Sequence, residues 1–449
     1  MEQPIVAEAL AHLHNLLAAN DLEGAIALIE SLRPPDQADI FAELPTAQQQ
    51  ELLPQIGVED AADILEKMAE AEVAELAEVL DVSTLAPILD EMQPDEAADL
   101  LGDLLPDRVT AALDQMAEPE EVQPLLLHPD KTAGGLMTSE FLALRPRMTA
   151  TQAIEAIRSW APEVETAYYL FVVDREGVLC GVVSLRQLIV AHPFSPVGEL
   201  MDPDVIFVRA DADQEECARL MSRYDLLALP VVDEGDRLLS VITVDDLVEV
   251  LEEEATEDIH RLGGSRPLDQ PYLSVSPLAM ARKRIGWLLL LFVTHTLTGE
   301  VMRHFEDALA SRVVLSIFIP LLIGTGGNTG SQTITIVIRA LAMRQLDLKD
   351  FLRTIWHEMA TGLIMGVGLA AITMVRALTW GVDIGLAMTA AAALLAVVLS
   401  ANIIGALLPF LAELIGIDPT VASAPALDTL VDATGLFIYF TIAKLVLGI

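Results

Sequence analysis

The 449-residue sequence has only two cysteines, Cys180 and Cys217. Two thiols exclude a disulfide scaffold and a cysteine-rich zinc or iron–sulfur centre; both are most simply core residues. Positive charge is also scarce. Lys and Arg number 26 against 67 Asp and Glu, a net charge of −41. With no basic patch to neutralise phosphates, nucleic acid is excluded as a partner. Residues 1–17 lack a basic n-region and carry Glu2 and Glu8, so no secretory leader is expected and the amino terminus belongs in the cytoplasm. No nucleophile–base motif, phosphate loop or metal-hydrolase spacing appears, so an enzyme is not expected.

What is present is unevenly placed. Residues 1–270 hold 56 acidic and 15 basic residues, whereas 271–449 hold 11 of each. An acidic front is joined to a neutral, apolar back. In the back, Asp, Glu, Lys and Arg are missing from 285–299, 313–338, 359–375 and 384–412, and a last apolar run near 421–447 is broken only by Asp428, Asp432 and Lys444. A bilayer core of ~30 Å needs about 20 apolar residues per helix. Five membrane helices are expected, near 284–304, 313–339, 355–377, 384–411 and 423–446. Arg282, Lys283 and Arg284 precede the first, and Arg339, Arg344, Lys349 and Arg353 crowd the loop after the second. With these loops inside, an odd helix count puts the carboxyl terminus outside.

Two features depart from a lipid-facing pattern. Residues 320–333 read PLLIGTGGNTGSQT, with four glycines and Asn328 inside a span. The stretch is no Walker loop, since it has no Lys, and Thr329 spoils GxGxxG spacing. Small residues there permit close helix packing. Alternatively the glycines bare backbone carbonyls beside a water-filled path, which Asn328, Thr329, Ser331 and Gln332 favour. The second feature is Asp428 and Asp432, four apart and so on one helix face. A carboxylate in a span is costly and faces a pore or a partner unless it lies near the surface. His295 and Glu300 suit a packing or outer-rim role, and His357 and Glu358 the membrane interface.

In the front, residues 1–130 read as short helices with a repeat. DQADIFAELP (36–45), EDAADILEKM (59–68), STLAPILDEM (83–92), DEAADLLGDL (95–104) and DRVTAALDQM (107–116) share a step of about 12 residues. Two steps make a helical hairpin, the pattern of an α-helical solenoid. From 131 the texture changes to strands alternating with helices, twice over. Val172-Val173-Asp174 recurs as Val231-Val232-Asp233, and 181–188 recurs as 240–247. Residues 131–250 resemble a tandem pair of α/β CBS domains. Such pairs often bind adenine nucleotides through a closing Ser/Thr-x-x-Asp. The second copy keeps Thr243-Val244-Asp245-Asp246, while the first reads Ser184-Leu185-Arg186-Gln187 and lacks the acid. One nucleotide site, on Thr243 and Asp246, is expected rather than two. Residues 245–258, DDLVEVLEEEATED, carry eight acids in fourteen with an apolar stripe at helical spacing. An acidic helix therefore links the regulatory modules, over 245–270, to a transmembrane domain at 271–449.

This order resembles the MgtE family of magnesium channels and transporters over essentially the whole chain. PLLIGTGGNTGSQ (320–332), TEDIHRL (256–262) and TLVDATGLFIY (429–439) carry the likeness. The resemblance implies a homodimer in the plasma (inner) membrane, with the second and fifth helices lining a pore on the two-fold axis. It implies that Asp432 holds the ion and that Gly324, Gly327, Asn328 and Ser331 line or shape the path. It further implies a plug role for the acidic helix. Regulatory Mg²⁺ would bind at Asp63, Asp95 and Asp99 in the solenoid, at Gly135 (through its carbonyl), Glu215, Asp225 and Asp246 in the CBS pair, and at Glu254, Glu257 and Asp258 in the plug helix. Ala424-Pro425-Ala426-Leu427-Asp428 departs from the family, where Gly- or Asn-Pro followed by apolar and small residues is usual. Asp428 adds an acid one turn from Asp432, expected to raise cation occupancy at the inner mouth. The alternatives are a membrane-anchored CBS nucleotide or metal sensor without conduction, and a broader divalent (Co²⁺, Mn²⁺) transporter.

Overall fold

A computed structural model describes residues 3–139, 141–160, 168–268, 272, 275–421 and 424–449. The chain forms two units, residues 1–254 with 269–272, and 255–268 with 273–449.

The first unit opens with α1 (Gln3–Ala18), α2 (Leu22–Ile29), α3 (Pro34–Ala42), α4 (Thr46–Leu52), α5 (Val58–Glu66), α6 (Glu70–Val79), α7 (Val82–Glu91), α8 (Pro94–Asp103), α9 (Pro106–Leu113) and α10 (Pro119–Val122). Prolines stand in the first turn of α3, α8, α9 and α10, where no N–H is needed. The repeat sets the packing. Ala61, Ala62, Ile64 and Leu65 are buried in one step, Leu85, Ala86, Ile88 and Leu89 in another, and Ala97, Ala98, Leu100 and Leu101 in a third. One row runs α1–α3–α5–α7–α9 and a second α4–α6–α8; two rows of alternate helices make the solenoid.

The repeat also sets the caps. Glu30 accepts the Gly57 N–H at 3.3 Å, Glu66 that of Gln93 at 2.6 Å, Glu78 that of Leu105 at 2.8 Å and Asp90 that of Ala117 at 2.9 Å. Each acid and its N–H are 27 residues apart. A carboxylate at the positive end of the helix three along is stabilising. Part of the acidic excess is thus structural.

Next come two copies of one α/β unit. In the first, β1 (Ala143–Leu144), α11 (Ala150–Trp160), β2 (Tyr169–Val173), β3 (Leu179–Ser184), α12 (Leu185–Val190) and α13 (Val197–Leu200) follow in order, and in the second β4 (Val208–Arg209), α14 (Gln214–Tyr224), β5 (Ala228–Val232) and β6 (Leu238–Thr243). The sheet orders are β1-β2-β3 and β4-β5-β6, parallel then antiparallel in each. The register shifts at Val172/Val173 and at Val231/Val232. Asp174 then accepts the N–H groups of Glu176 and Val178, as Asp233 accepts those of Gly235 and Arg237. The recurring Val-Val-Asp is therefore a bulge followed by an Asx turn. Cys217 is buried in this unit and Cys180 partly so, both as free thiols.

Helix α15 (Val244–Leu262) leads into the second unit, followed by α16 (Pro277–His304), α17 (Glu306–Ser311), α18 (Ile319–Ala342), α19 (Phe351–Thr379), α20 (Ile384–Leu414) and α21 (Ala424–Leu447). Among the described residues five helices are long and apolar enough to cross a membrane: α16, α18, α19, α20 and α21, the second and third extended by a preceding 3₁₀ turn. Residue 423, the expected start of the last, lies outside the described residues. Helix α20 packs on α18, α19 and α21; Ala387, Ala390, Ala393, Val397 and Ala401 on it are fully buried. Small side chains let the backbones approach. Backbone meets backbone at Gly405, where a Cβ would stand 2.8 Å from the Gly330 carbonyl and 3.2 Å from the Thr333 Cβ. Gly405→Leu is expected to cost about 1–3 kcal/mol through overpacking, read as a lower melting temperature in detergent.

Candidate functional site

Helix α18 runs unbroken through 320–333, so the glycines do not open the backbone there. They divide between two faces. Gly326 meets Val397 and Val431, and Gly330 meets Leu427, the close-packing use of small residues. On the other side, Gly324, Asn328, Gln332 and Thr335 are exposed and Ser331 half-buried. These spacings of three and four make one polar stripe along a membrane helix. Polar groups at such depth require water or a polar partner.

Helix α21 brings its acids to this neighbourhood. The Ser331 hydroxyl donates to Asp428 Oδ1 at 3.2 Å. A Cβ on Gly327 would stand 2.9 Å from the same oxygen, so glycine is what lets that carboxylate lie against α18. Asp432, one turn on, is 15% exposed, and its Oδ2 stands 3.9 Å from His295 Nε2 on α16. The structure thus gathers Gly327, Ser331 and Asp428, with Asp432 a turn away. Gly324 stays open, with nothing within 4 Å of where its Cβ would be. Glu300 is 72% exposed and pairs with Arg303. His295, read as packing or rim, is 56% exposed, with its Nε2 toward the acid.

Glu358, expected at the membrane interface, is packed among helices, which its sequence did not show. His357 is 79% exposed but Glu358 only 13%, because the carboxyl turns between α18 and α20. It accepts the Thr333 hydroxyl at 3.1 Å, and the fully buried Asn402 amide reaches the Glu358 carbonyl at 3.5 Å. The available signal was glycine spacing: Gly362 lies a turn beyond Glu358, and its Cβ position is 3.1 Å from the Asn402 amide nitrogen.

In the first unit the acids crowd. Asp95 is 7% exposed, with an Oδ1 that has no hydrogen-bond partner. Burial, with Asp246 nearby, pushes its carboxyl up to about 7. Burial and Asp95 push Glu96 to about 9, and burial and Asp130 push Asp99 to about 8. Burial also raises Asp63, Glu70 and Asp246. This is the electrostatics of a surface that needs a cation or a proton. Thr243 donates to Asp246 through both its hydroxyl, at 2.6 Å, and its N–H, at 3.0 Å. In the first copy Ser184 and Gln187 form the equivalent capping box without a carboxylate. Gln214 donates to Glu254 at 2.7 Å. Gly135 sits over the Asp130 backbone, where a Cβ would come within 2.4 Å of the Asp130 carbonyl oxygen. Glu215 and Asp225 lie at opposite ends of α14, about 15 Å apart at ~1.5 Å per residue, so one ion within a protomer does not reach both. Among the described residues, no three His, Cys, Asp or Glu side chains converge tightly enough to hold a metal ion directly.

The end of α15 is anchored within the second unit. Arg261 pairs with Glu257, one turn before it, and with Asp418 in the loop after α20. Asp258 also sits in this last stretch of α15, half-buried. Gly264 ends the helix at φ +69°, a conformation suited to glycine, and a Cβ there would come within 2.5 Å of the Trp287 indole. Lys283 donates to the Pro267 carbonyl at 2.6 Å.

A helical solenoid, a duplicated α/β pair, an acidic helix and five membrane-length helices with paired intramembrane acids define a multi-domain, multi-pass membrane protein. Family models match in the same order: the MgtE intracellular N domain at 32–131, CBS domains at 133–192 and 197–253, and MgtE, a divalent cation transporter, at 319–442. The chain is 46% identical over 327 residues to the magnesium transporter MgtE of Thermus thermophilus, and 37% identical over 328 to that of Enterococcus faecalis. Each match covers 73% of this chain and 72% of the relative. Among solved structures it is similar to the cytosolic domain of the Mg²⁺ channel MgtE in complex with ATP (38% identity, TM-score 0.51, 54% of this chain and 99% of that one). It is also similar to the soluble part of a magnesium transporter (31% identity, TM-score 0.50, 56% and 99%). The chain belongs to the MgtE family.

Proposed function

We propose that the chain conducts Mg²⁺ across the plasma (inner) membrane as a homodimer, amino terminus in the cytoplasm and carboxyl terminus outside. The observation that carries this reading is the polar stripe of α18 beside Asp428 and Asp432 of α21. An anchor needs neither. Mg²⁺ takes six oxygen ligands and sheds water reluctantly. A path for it needs a few carboxylate, carbonyl and amide oxygens that hold the hydrated ion. Asp432 from two subunits supplies the charge; Gly324, Gly327, Asn328 and Ser331 shape the wall.

The acidic half is the sensor, with the divisions at 1–130, 131–250, 245–270 and 271–449. Asp63, Asp95, Asp99, Gly135, Glu215, Asp225, Asp246, Glu254, Glu257 and Asp258 take part in cytosolic Mg²⁺ binding, between modules or between subunits. Without the ion these surfaces repel. Ions that bind the compact state more tightly shift the population to it and close the path. An adenine nucleotide such as ATP binds the CBS pair through Thr243 and Asp246, as the similar cytosolic domain solved with ATP suggests. No catalytic role and no nucleic-acid partner belong to this reading.

Mg²⁺ influx into liposomes holding the purified chain tests it. Influx above that of empty liposomes is expected; a binding-competent chain without influx leaves the anchored-sensor reading. Asp428→Ala is expected to raise the Mg²⁺ concentration for half-maximal flux several-fold, since one acid near the path is lost while Asp432 stays. Unchanged concentration dependence and flux would remove Asp428 from the path.

A further inference from the structure

The imidazole of His295 has no role in a path for Mg²⁺ alone, because Mg²⁺ prefers oxygen donors. Yet its placement runs against the character of its helix. Helix α16 otherwise turns Leu288, Leu289, Leu290, Phe292, Val293 and Leu297 outward, each more than half exposed. His295, whose side chain is itself 56% exposed, brings Nε2 to 3.9 Å from Asp432 Oδ2. Three residues along the same side, Thr298 is 8% exposed, and its hydroxyl oxygen is buried without a hydrogen-bond partner. Helix α16 packs on α21, so where the two meet an apolar helix carries a part-exposed imidazole and a buried, unsatisfied hydroxyl.

The distance is informative. At 3.9 Å the nitrogen and oxygen are too far apart for a hydrogen bond. Two donors about 2.0–2.2 Å from one metal stand roughly 3.0 Å apart in octahedral and roughly 3.4 Å apart in tetrahedral geometry. A small rotation of either side chain closes that gap. Imidazole with carboxylate suits Zn²⁺, Co²⁺ and Ni²⁺ far better than Mg²⁺.

We propose that His295 and Asp432 together bind a d-block dication of the Zn²⁺, Co²⁺ and Ni²⁺ class, with waters and the Thr298 hydroxyl completing the site. The proposal rests on the reading that Asp432 lies in the ion path. There, an ion held by direct bonds leaves slowly and obstructs the hydrated Mg²⁺ behind it. His295 is therefore a specificity residue: it makes the path sensitive to block by metals that accept nitrogen.

The test uses the full chain in liposomes, with Mg²⁺ influx measured against added Zn²⁺ and each variant normalised to its own flux. His295→Leu and His295→Asn are expected to raise the half-blocking Zn²⁺ concentration at least tenfold. His295→Cys, which restores a zinc-binding side chain, is expected to recover block. Equal Zn²⁺ sensitivity in wild type and His295→Leu overturns the proposal. Visible absorption of Co²⁺ bound to the detergent-solubilised chain separates this from failure of the ion-path reading. A Co²⁺ band present in wild type and lost in both His295→Leu and Asp432→Asn supports the site even where influx is absent. A spectrum unchanged by both substitutions overturns it.

Discussion

Asp432→Asn is expected to cut Mg²⁺ influx at least 100-fold while the protein still folds and inserts. The substitution keeps the size of a mostly buried side chain and removes only its charge. A pair of unit charges ~4 Å apart interacts with about 4 kcal/mol at an effective dielectric of 20. A divalent ion between two such carboxylates gains more, and hydration water screens part of it. A net loss of about 3 kcal/mol corresponds to a little over 100-fold. Asp432→Glu keeps the charge on a longer arm and is expected to retain measurable flux with altered ion preference. Full influx in Asp432→Asn, measured with a Mg²⁺-sensitive dye in liposomes, would remove this carboxylate from the path.

The second large effect concerns the sensor. Asp95, Asp99 and Glu96 hold protons up to about 7, 8 and 9, whereas an unfolded chain releases them near 4. Groups raised in the folded state favour it fully at low pH, and that contribution is lost as pH rises through their folded values. Without Mg²⁺, the acidic half is expected to lose stability between about pH 6 and 9. Millimolar Mg²⁺ replaces the protons and restores it. Because proton and metal compete for the same carboxylates, the Mg²⁺ needed to protect the 250–268 connection from protease is expected to fall at least fivefold from pH 6.5 to 8.5. Asp95→Asn, Glu96→Gln and Asp99→Asn combined abolish that pH dependence and leave flux poorly responsive to cytosolic Mg²⁺. Equal cleavage with and without Mg²⁺ in wild type would contradict the sensor reading.

Much of the architecture was legible because it is written in short-range patterns. The 12-residue step appears as the solenoid because residues 61–65, 85–89 and 97–101 bury the same four apolar positions around one left more open. The doubled Val-Val-Asp appears as the same bulge and turn in both sheets. Four charge-free runs, and one broken only by Asp428, Asp432 and Lys444, appear as five membrane-length helices. Less legible was anything decided by which way a helix faces. The Gly-rich stretch read as a candidate for irregular backbone, yet α18 is continuous, and its glycines serve Val397, Leu427 and Asp428 in turn. Spacing alone does not give the rotation of α16 or α19, so neither the approach of His295 to Asp432 nor the burial of Glu358 could be read. Arg261 carried no hint of Asp418, 157 residues away. Such pairings come from helix packing.

The account stands on hydrated Mg²⁺ passing between carboxylates at position 432. Its most direct test is current through a planar bilayer holding the full chain, with Mg²⁺ the sole permeant cation and unequal on the two sides. The predicted result is current that reverses at the Mg²⁺ equilibrium potential, is suppressed when millimolar Mg²⁺ bathes the acidic half, and is absent in Asp432→Asn. Current indifferent to the charge at 432, or none from a folded dimer at low Mg²⁺, would contradict it.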